Sequence, residues 1–490
     1  MSHEQPMELN ATLDDPAGAP AGVFAGGGLR RNAVSGRAVA ITSMAASGPA
    51  ATIALVTPAA ALYAGKAMIF ALIVITVAAI ALVNTFAEFA KRIPSAGSLF
   101  AWNTAGLGAN FGFVFGWFFV GCYLLIAAEG YSAFGGFVQD YLQSSFNTTI
   151  PWGVFTAACI AYVLFFAWRG ISLSTEASLA LLGFEVLVLM TLSIWLIASG
   201  HAHVSLSVFN PSTSTGGWDG IGLAISFGVA GLAGFEEAAT LGEEAENPRR
   251  SVGRGLFLAV VLLQVFYIFV SWMLLSSYLG SIKSFANNPN IVEDIARTVW
   301  HSGGGLVTVI VCSSILAFTL TCFNAGVRVI YSLARVGLVP KSLGKTNQKT
   351  KTPGRAILLF AALTIPTSYI LGAFKGPITS FQYYGFMVSI AFSIAYLLTN
   401  VALVVYIHKH TPQEFSLFRH VLIPLVAIVG VGYALYRTVY PLPPSPLSYL
   451  PLVVLGWAVV GVGLLVYIRR TRKADIEQVG RAFTGEATEA

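Results

Sequence analysis

Residues 231–251 read Gly-Leu-Ala-Gly-Phe-Glu-Glu-Ala-Ala-Thr-Leu-Gly-Glu-Glu-Ala-Glu-Asn-Pro-Arg-Arg-Ser, and this stretch decides the fold. It places glycines and a carboxylate inside an apolar segment of membrane length, which the chain then leaves through a densely charged loop. In hydrocarbon, a non-helical backbone survives only where it lines a protein-walled cavity. An ionisable residue at such a depth marks a functional site by default. The stretch therefore predicts that a polar ligand binds in the middle of a membrane.

The composition of the chain supports a membrane protein. Of its 490 residues, 56% are apolar and only 10% are charged, whereas soluble domains carry about 25% charged residues. The four cysteines lie singly in apolar runs, so we expect small buried side chains there and neither a metal site nor a cofactor.

Apolar runs of about 20 residues, the length that crosses a bilayer core, predict twelve transmembrane helices. They lie near residues 38–62, 66–90, 109–138, 151–168, 176–198, 218–240, 254–279, 303–334, 355–374, 379–407, 419–438 and 448–468.

The positive charges orient these spans. With the N-terminus in the cytoplasm, 23 of the 28 lysines and arginines fall on the cytoplasmic side, in loops, tails or the adjoining ends of spans, as the positive-inside rule requires. The net charge of +6 therefore reports orientation in a lipid bilayer and predicts no nucleic-acid partner. We expect a multi-pass protein of the cytoplasmic membrane with both termini in the cytoplasm.

Two predicted spans are interrupted in the same way. The first contains Gly48-Pro49, and the sixth contains three spaced glycines, the last of them Gly234. Five spans separate the two breaks, a pattern typical of an inverted five-plus-five repeat. Because half-helix ends attract charged groups, a zwitterion would satisfy both breaks. Ordinary close packing of membrane helices is the alternative reading of these small residues.

The stretch from Phe227 to Val252 resembles the sixth helix of the amino acid–polyamine–organocation transporter superfamily. Its Gly-Phe-Glu at 234–236 and its Glu-Glu-Ala-Glu-Asn-Pro-Arg-Arg at 243–250 match that family's motif. The run Ala-Glu-Phe-Ala-Lys-Arg-Ile-Pro-Ser-Ala-Gly at 87–97 is similar to the element that closes the family's second helix. The resemblance extends over about residues 36–470.

This resemblance implies an all-α, LeuT-like fold with broken helices one and six and two extra C-terminal helices. The expected organisation is a disordered tail (1–35), a transport core (36–410, with repeats 36–200 and 215–410), helices eleven and twelve (411–470) and a second tail (471–490).

The resemblance also implies where a substrate binds and what closes over it. The substrate-contacting positions are Ser47, Gly48, Pro49 and Ala50 in helix one, and Ala230, Gly231, Leu232 and Gly234 in helix six. The family usually has an aromatic lid at the position of Ala230, so here the lid is absent or comes from Phe227 or Phe235. The charged loop would form an intracellular gate containing Glu243, Glu244, Arg249 and Arg250, with a merely solvated loop as the alternative.

Three carboxylates inside predicted spans are candidates for handling protons or cations. Glu185 lies about 12 Å along an apolar run that begins at Ala177, close to the membrane midplane. A carboxylate there must be paired, be protonated or face a wet cavity. We predict that Glu185 is a proton site or a counter-charge to a cationic substrate. A permanently protonated group bonded between helices is the alternative.

Two points about these carboxylates come from the resemblance. Several proton-coupled members carry a lysine in helix five that bridges to the break in helix one, and Glu185 aligns with it. The motif also favours Glu236 over Glu237 as the carboxylate that faces the pathway, where it could stabilise the break, sense pH or gate. Glu129 on the third span is a further candidate.

The leading function is therefore a secondary active transporter of an amino acid or a related amine, working by alternating access and coupled to protons. Exchange of a cationic amino acid or polyamine is the alternative, and the protein could be a monomer or a homodimer. A channel or a membrane enzyme is more distant, because the chain shows no selectivity-filter sequence and no hydrolase, zinc-protease or nucleotide-binding motif. The particular substrate and the coupling ion stay open.

Overall fold

A computed structural model of the protein describes residues 29, 34–288, 290–442 and 445–471. Within these residues the chain is helical and forms no β-strand; a single isolated bridge joins Val34 to Ala245. The predicted all-helical class is confirmed. The tails expected at 1–35 and 471–490 lie almost entirely outside the described residues.

Seventeen α-helices, with short 3-10 and π segments between some of them, make up the described chain. They are α1 (Gly36–Ala46), α2 (Pro49–Ala51), α3 (Thr57–Ala64), α4 (Met68–Arg92), α5 (Leu99–Leu107), α6 (Ala109–Phe146), α7 (Trp152–Arg169), α8 (Ile171–Ala198), α9 (Gly217–Leu232), α10 (Pro248–Ser277), α11 (Ile282–Asn287), α12 (Ile291–Trp300), α13 (Leu306–Arg335), α14 (Gly354–Lys375), α15 (Pro377–His410), α16 (Ile423–Val439) and α17 (Leu450–Thr471).

Eleven helical segments of this described chain are long and apolar enough to cross a membrane. The first, Gly36–Arg92, has 57 residues and contains two of the predicted spans, while each of the others contains one. Large apolar side chains are exposed along several of these segments, as expected for surfaces that face lipid. A count of twelve stays a prediction.

Two elements differ from the expectations. The third span continues as α6 to Phe146, well beyond the predicted end at 138, and its glycines pack tightly against neighbouring helices without breaking it. A Cβ at Gly130, for example, would overlap Thr319 of α13. The short α5 was not predicted; eight of its nine residues are buried, so it is a core helix and no membrane span.

The first interruption lies between α1 and α2. Gly48 has φ +52°, and a Cβ there would lie 2.7 Å from Cδ1 of Phe318. The following Pro49 has no backbone N–H, so it starts the next helix without leaving a donor unsatisfied. Both residues stop α1 from continuing through this point.

The second interruption follows α9, which ends at Leu232. Gly234 has φ +100°, and a Cβ on it would lie 2.8 Å from the carbonyl oxygen of Ala46. The chain then continues as a 3-10 helix over Phe235–Glu243. The two interruptions are therefore in direct contact, and they sit inside a bundle in which α1 packs against α8, α10 and α13.

Candidate substrate and coupling site

Side chains of α1 satisfy backbone carbonyls at the second interruption. Ser43 Oγ donates to the carbonyl of Phe235 at 2.5 Å, and Ser47 Oγ donates to the carbonyl of Leu232 at 3.3 Å. Ala230, predicted to contact substrate, is half-buried in the last turn of α9. Hydroxyl groups thus replace the helical hydrogen bonds that the interruption removes.

The carbonyls nearest the two interruptions converge on two further hydroxyls. Tyr267 of α10 donates to the carbonyls of Ser47 at 3.4 Å and Gly231 at 3.3 Å. Thr52 Oγ1 reaches the same two carbonyls, at 2.9 Å and 3.4 Å. Carbonyl groups that a substrate ammonium could use are therefore gathered at one place, with hydroxyls against them.

The side chain of Glu185, a residue of α8, reaches the start of α2, the helix that follows the first interruption. Its Oε2 accepts a hydrogen bond of 2.9 Å from the backbone N–H of Ala50, and the next N–H, of Ala51, donates to Ser314 Oγ at 3.2 Å. The carboxyl group is fully buried, and its Oε1 has no hydrogen-bond partner among the described residues. A carboxylate of the protein thus occupies the helix N-terminus, the position that attracts anions.

Glu236 is held differently, by three hydrogen bonds. Tyr123 donates to Oε1 at 2.9 Å, Tyr396 donates to Oε2 at 2.7 Å, and the N–H of Gly234 donates to Oε2 at 3.2 Å. All four groups are buried. Glu236 therefore ties the second interruption to α6 and α15, which fits the stabilising role among the three that the sequence left open.

Glu129 on α6 is partly exposed and makes no hydrogen bond or ion pair within the described part of the chain. It faces α15, where a Cβ at Gly385 would lie 3.0 Å from its Oε1. Glu185 and Glu236 thus bond directly to backbone N–H groups at the interruptions, whereas Glu129 makes no such bond among the described residues.

The two aromatic candidates for a lid differ in their surroundings. Phe227 is half-buried and stacks on Tyr63, with ring centroids 5.7 Å apart. Phe235 is fully buried between Phe86 and Tyr396, at 5.6 Å and 5.8 Å. The ring of Phe235 is therefore packed in the core of this structure, whereas Phe227 is partly exposed, and the lid role of either residue stays a prediction.

The far end of the 3-10 helix that follows the second interruption is fixed by arginines of α13. Glu243 pairs with Arg335 at 2.6 Å and accepts the N–H of Ala96 at 3.1 Å, which joins it to the turn before α5. Glu244 pairs with the buried Arg328 at 2.9 Å. Burial raises the pKa of the Glu244 carboxyl, and the Arg328 guanidinium opposes that rise.

Arg328 also approaches Glu237, at 3.5 Å, so that one buried cation serves two carboxylates. By contrast, Arg249 and Arg250, the cations expected in the gate, are exposed and form no ion pair among the residues described. In this structure the partners of Glu243 and Glu244 come from α13, and the gate role of the two exposed arginines stays a prediction.

Several residues of the site were not found from the sequence. They are Ser43, Tyr123, Tyr267, Ser314, Arg328, Arg335 and Tyr396. For Arg328 a signal existed, since a cation inside an apolar span is itself a site candidate. The hydroxyls carry no such signal, because serine and tyrosine are common in membrane helices that merely pack.

An all-helical bundle of membrane-length helices around facing interruptions defines a class of membrane transporters. Among solved structures, the chain is similar to the Eremococcus coleocola manganese transporter, with a TM-score of 0.56 and 12% identity over 91% of this chain and 95% of that one. At this identity the likeness shows the fold alone.

The family model for amino acid permeases matches residues 35–465, and the chain belongs to that family. It is 26% identical to the methylthioribose transporter of Bacillus subtilis over 85% of this chain and 88% of that protein. It is also 26% identical to the branched-chain amino acid permease BcaP of Lactococcus lactis, over 64% and 70%. The resemblance stated from the motifs is confirmed, and the protein is a transporter and no enzyme.

Proposed function

We propose that this permease is a proton-coupled secondary transporter that moves an amino acid or a related amine across the cytoplasmic membrane by alternating access. In this proposal twelve transmembrane helices include two inverted repeats, 36–200 and 215–410, which meet at the two interruptions. Both termini lie in the cytoplasm.

The observation that carries the proposal is the position of Glu185. Its Oε2 is bonded to Ala50 N–H in the first interruption, while its Oε1 is buried without a partner among the described residues. A buried carboxylate oxygen left unpaired in this way favours taking up a proton or pairing with the ammonium group of a substrate. Protonation would weaken the bond to Ala50, since hydrogen bonds to charged acceptors are about twice as strong as neutral ones. That change links the charge of Glu185 to the geometry of the break.

The same contact bears on the substrate. The helix N-terminus that could receive a substrate carboxylate already holds Glu185, so a substrate must either displace this side chain or bind through its amine. Carbonyls of Ser47 and Gly231 are the acceptors that an ammonium could share with Tyr267 and Thr52. The two named relatives are a methylthioribose transporter and a branched-chain amino acid permease, so family membership alone does not identify the substrate of this protein.

Opening and closing require contacts that can be broken at either end. At the inner end, the pairs Glu243–Arg335 and Glu244–Arg328 hold the 3-10 helix against α13. At the other end of the site, Phe227 stacked on Tyr63 is the more exposed of the two aromatic candidates for a lid. We infer that these contacts alternate during transport.

Exchange of a cationic amino acid or polyamine is the second candidate. It is favoured by the unpaired Glu129, because a second unpaired carboxylate beside the bundle core suits a substrate with two positive charges. Loading proteoliposomes with unlabelled amines distinguishes the two candidates. Exchange predicts that uptake occurs only into loaded vesicles, whereas symport predicts uptake into empty vesicles under an inward proton gradient.

The experiment that tests the proposal is uptake by purified protein in proteoliposomes, screened over amino acids and amines at two pH values. Saturable uptake that rises with an inward proton gradient supports it, and Glu185→Gln should remove that rise. The matched control is Glu176→Gln, an exposed glutamate on the same helix. A linear, non-saturating flux would contradict a carrier.

A further inference from the structure

A groove of 1120 Å³ lies on the outside of the bundle, away from the two interruptions. Its floor is α4, and its walls are α10 and α16. Small residues allow the walls to approach the floor: a Cβ at Gly253 of α10 would lie 3.0 Å from the Cβ of Ala87, and one at Gly430 of α16 would lie 2.6 Å from that of Ala78.

One end of this groove is strongly cationic. It is lined by Lys91, Arg249, Arg250 and Arg254, with Glu88 as the one carboxylate. Glu88 is already paired with Lys91 at 2.7 Å, and also with an arginine outside the lining. The three arginines are exposed, and none has an ion pair among the described residues. Their charges are therefore available to an external anion.

The rest of the groove is apolar and open to the membrane. Its exposed side chains include Val77 and Ile80 on α4, Phe257 and Leu258 on α10, and Val426 on α16. From Lys91 to Val77 the floor helix rises about 21 Å, at 1.5 Å per residue. This length matches one leaflet of a bilayer with its head-group layer included, about 20–22 Å.

We propose that the groove binds an anionic phospholipid, with the phosphate head group at the arginines and an acyl chain along the apolar floor. The charge of the occupant follows from the unpaired arginines, and its apolar tail follows from the lipid-facing wall. Arginine suits this task because its planar donors bind phosphate oxygens in pairs. Under the orientation proposed above, the head group lies in the cytoplasmic leaflet, which carries the anionic lipids. This assignment gives Arg249 and Arg250 a partner that the gate does not supply.

The test compares lipids on detergent-purified protein by thermal shift, with bound lipids counted by native mass spectrometry. Dioleoylphosphatidylglycerol should stabilise the wild type and remain bound, whereas dioleoylphosphatidylcholine should bind at least tenfold more weakly. The variant Arg249→Gln/Arg250→Gln/Arg254→Gln should lose this preference.

A control variant removes three exposed cations from the same end of the bundle but outside the groove: Lys341→Gln/Lys345→Gln/Lys409→Gln. It should keep the preference for phosphatidylglycerol. Both variants should melt like the wild type without added lipid, which separates loss of binding from loss of folding.

Three results would overturn the proposal. Equal loss in both variants would mean a diffuse charge effect, and retention in the arginine variant would mean that the lipid binds elsewhere. Inorganic phosphate or dihexanoylphosphatidylglycerol could also stabilise the protein as much as the long-chain lipid. That result would mean that the groove is an anion site and that its apolar floor does not contribute to binding.

Discussion

Replacing Glu236 tests whether this carboxylate holds the second interruption together. Glu236→Ala leaves two buried tyrosine hydroxyls, of Tyr123 and Tyr396, and the buried N–H of Gly234 without their acceptor. An unsatisfied buried polar group costs about 1–3 kcal/mol, so the alanine variant should lose about 3–9 kcal/mol of stability, the lower part of the range if the hydroxyls find new partners.

Glu236→Gln should behave quite differently from the alanine variant. Its amide oxygen can take the place of Oε2 and keep the bonds from Tyr396 and Gly234, while its NH₂ group can donate to the hydroxyl oxygen of Tyr123. What is lost is the charge on the acceptor, a difference of about 1 kcal/mol per hydrogen bond.

The assay is thermal unfolding of the purified variants in one detergent, together with uptake at acidic and neutral pH. We expect the order wild type, glutamine, alanine in melting temperature, and we expect the glutamine variant to keep the pH dependence of uptake. Equal melting temperatures for alanine and glutamine would refute a holding role. A flat pH profile for the glutamine variant would make Glu236 the titrating group.

Two further substitutions probe the interruptions and their inner end. Gly48→Ala places a Cβ within 2.7 Å of Phe318 at φ +52°, so it should lower the stability of the protein by about 1–2 kcal/mol and lower uptake. The control Gly183→Ala, on the open face of α8, should leave uptake unchanged. Uptake by Gly48→Ala at the wild-type rate would contradict the need for a left-handed residue at this position. Arg328→Gln removes the partner of the buried Glu244 carboxylate and should lower the stability of the protein by about 3–5 kcal/mol. Adding Glu244→Gln should restore part of the melting temperature. No recovery in the double variant would mean that Arg328 acts through other contacts.

The sequence predicted the membrane helices and their interruptions from strong local signals. Apolar runs predict the membrane helices because their length must match the thickness of the bilayer core. Gly48 followed by Pro49 predicts an interruption because proline disrupts a continuing helix. Glu185 was found because a carboxylate in an apolar run is rare enough to demand a reason.

The partners of these groups could not be predicted in the same way. Tyr396 bonds to Glu236 across 160 positions of the chain, and Arg328 bonds to Glu244 across 84. Such contacts depend on how the helices pack. The family resemblance implied a gate containing Arg249, but this residue lies exposed in the first turn of α10, while Glu244 pairs with Arg328 of α13.

The central claim is that Glu185 couples protons to the movement of the substrate. The most direct measurement is the proton flux that accompanies substrate uptake into proteoliposomes, followed with a pH-sensitive dye trapped inside. The account predicts that substrate drives inward proton movement in the wild type and in Glu176→Gln, and that Glu185→Gln binds or exchanges substrate without this flux. An unchanged proton flux per substrate in Glu185→Gln would contradict it.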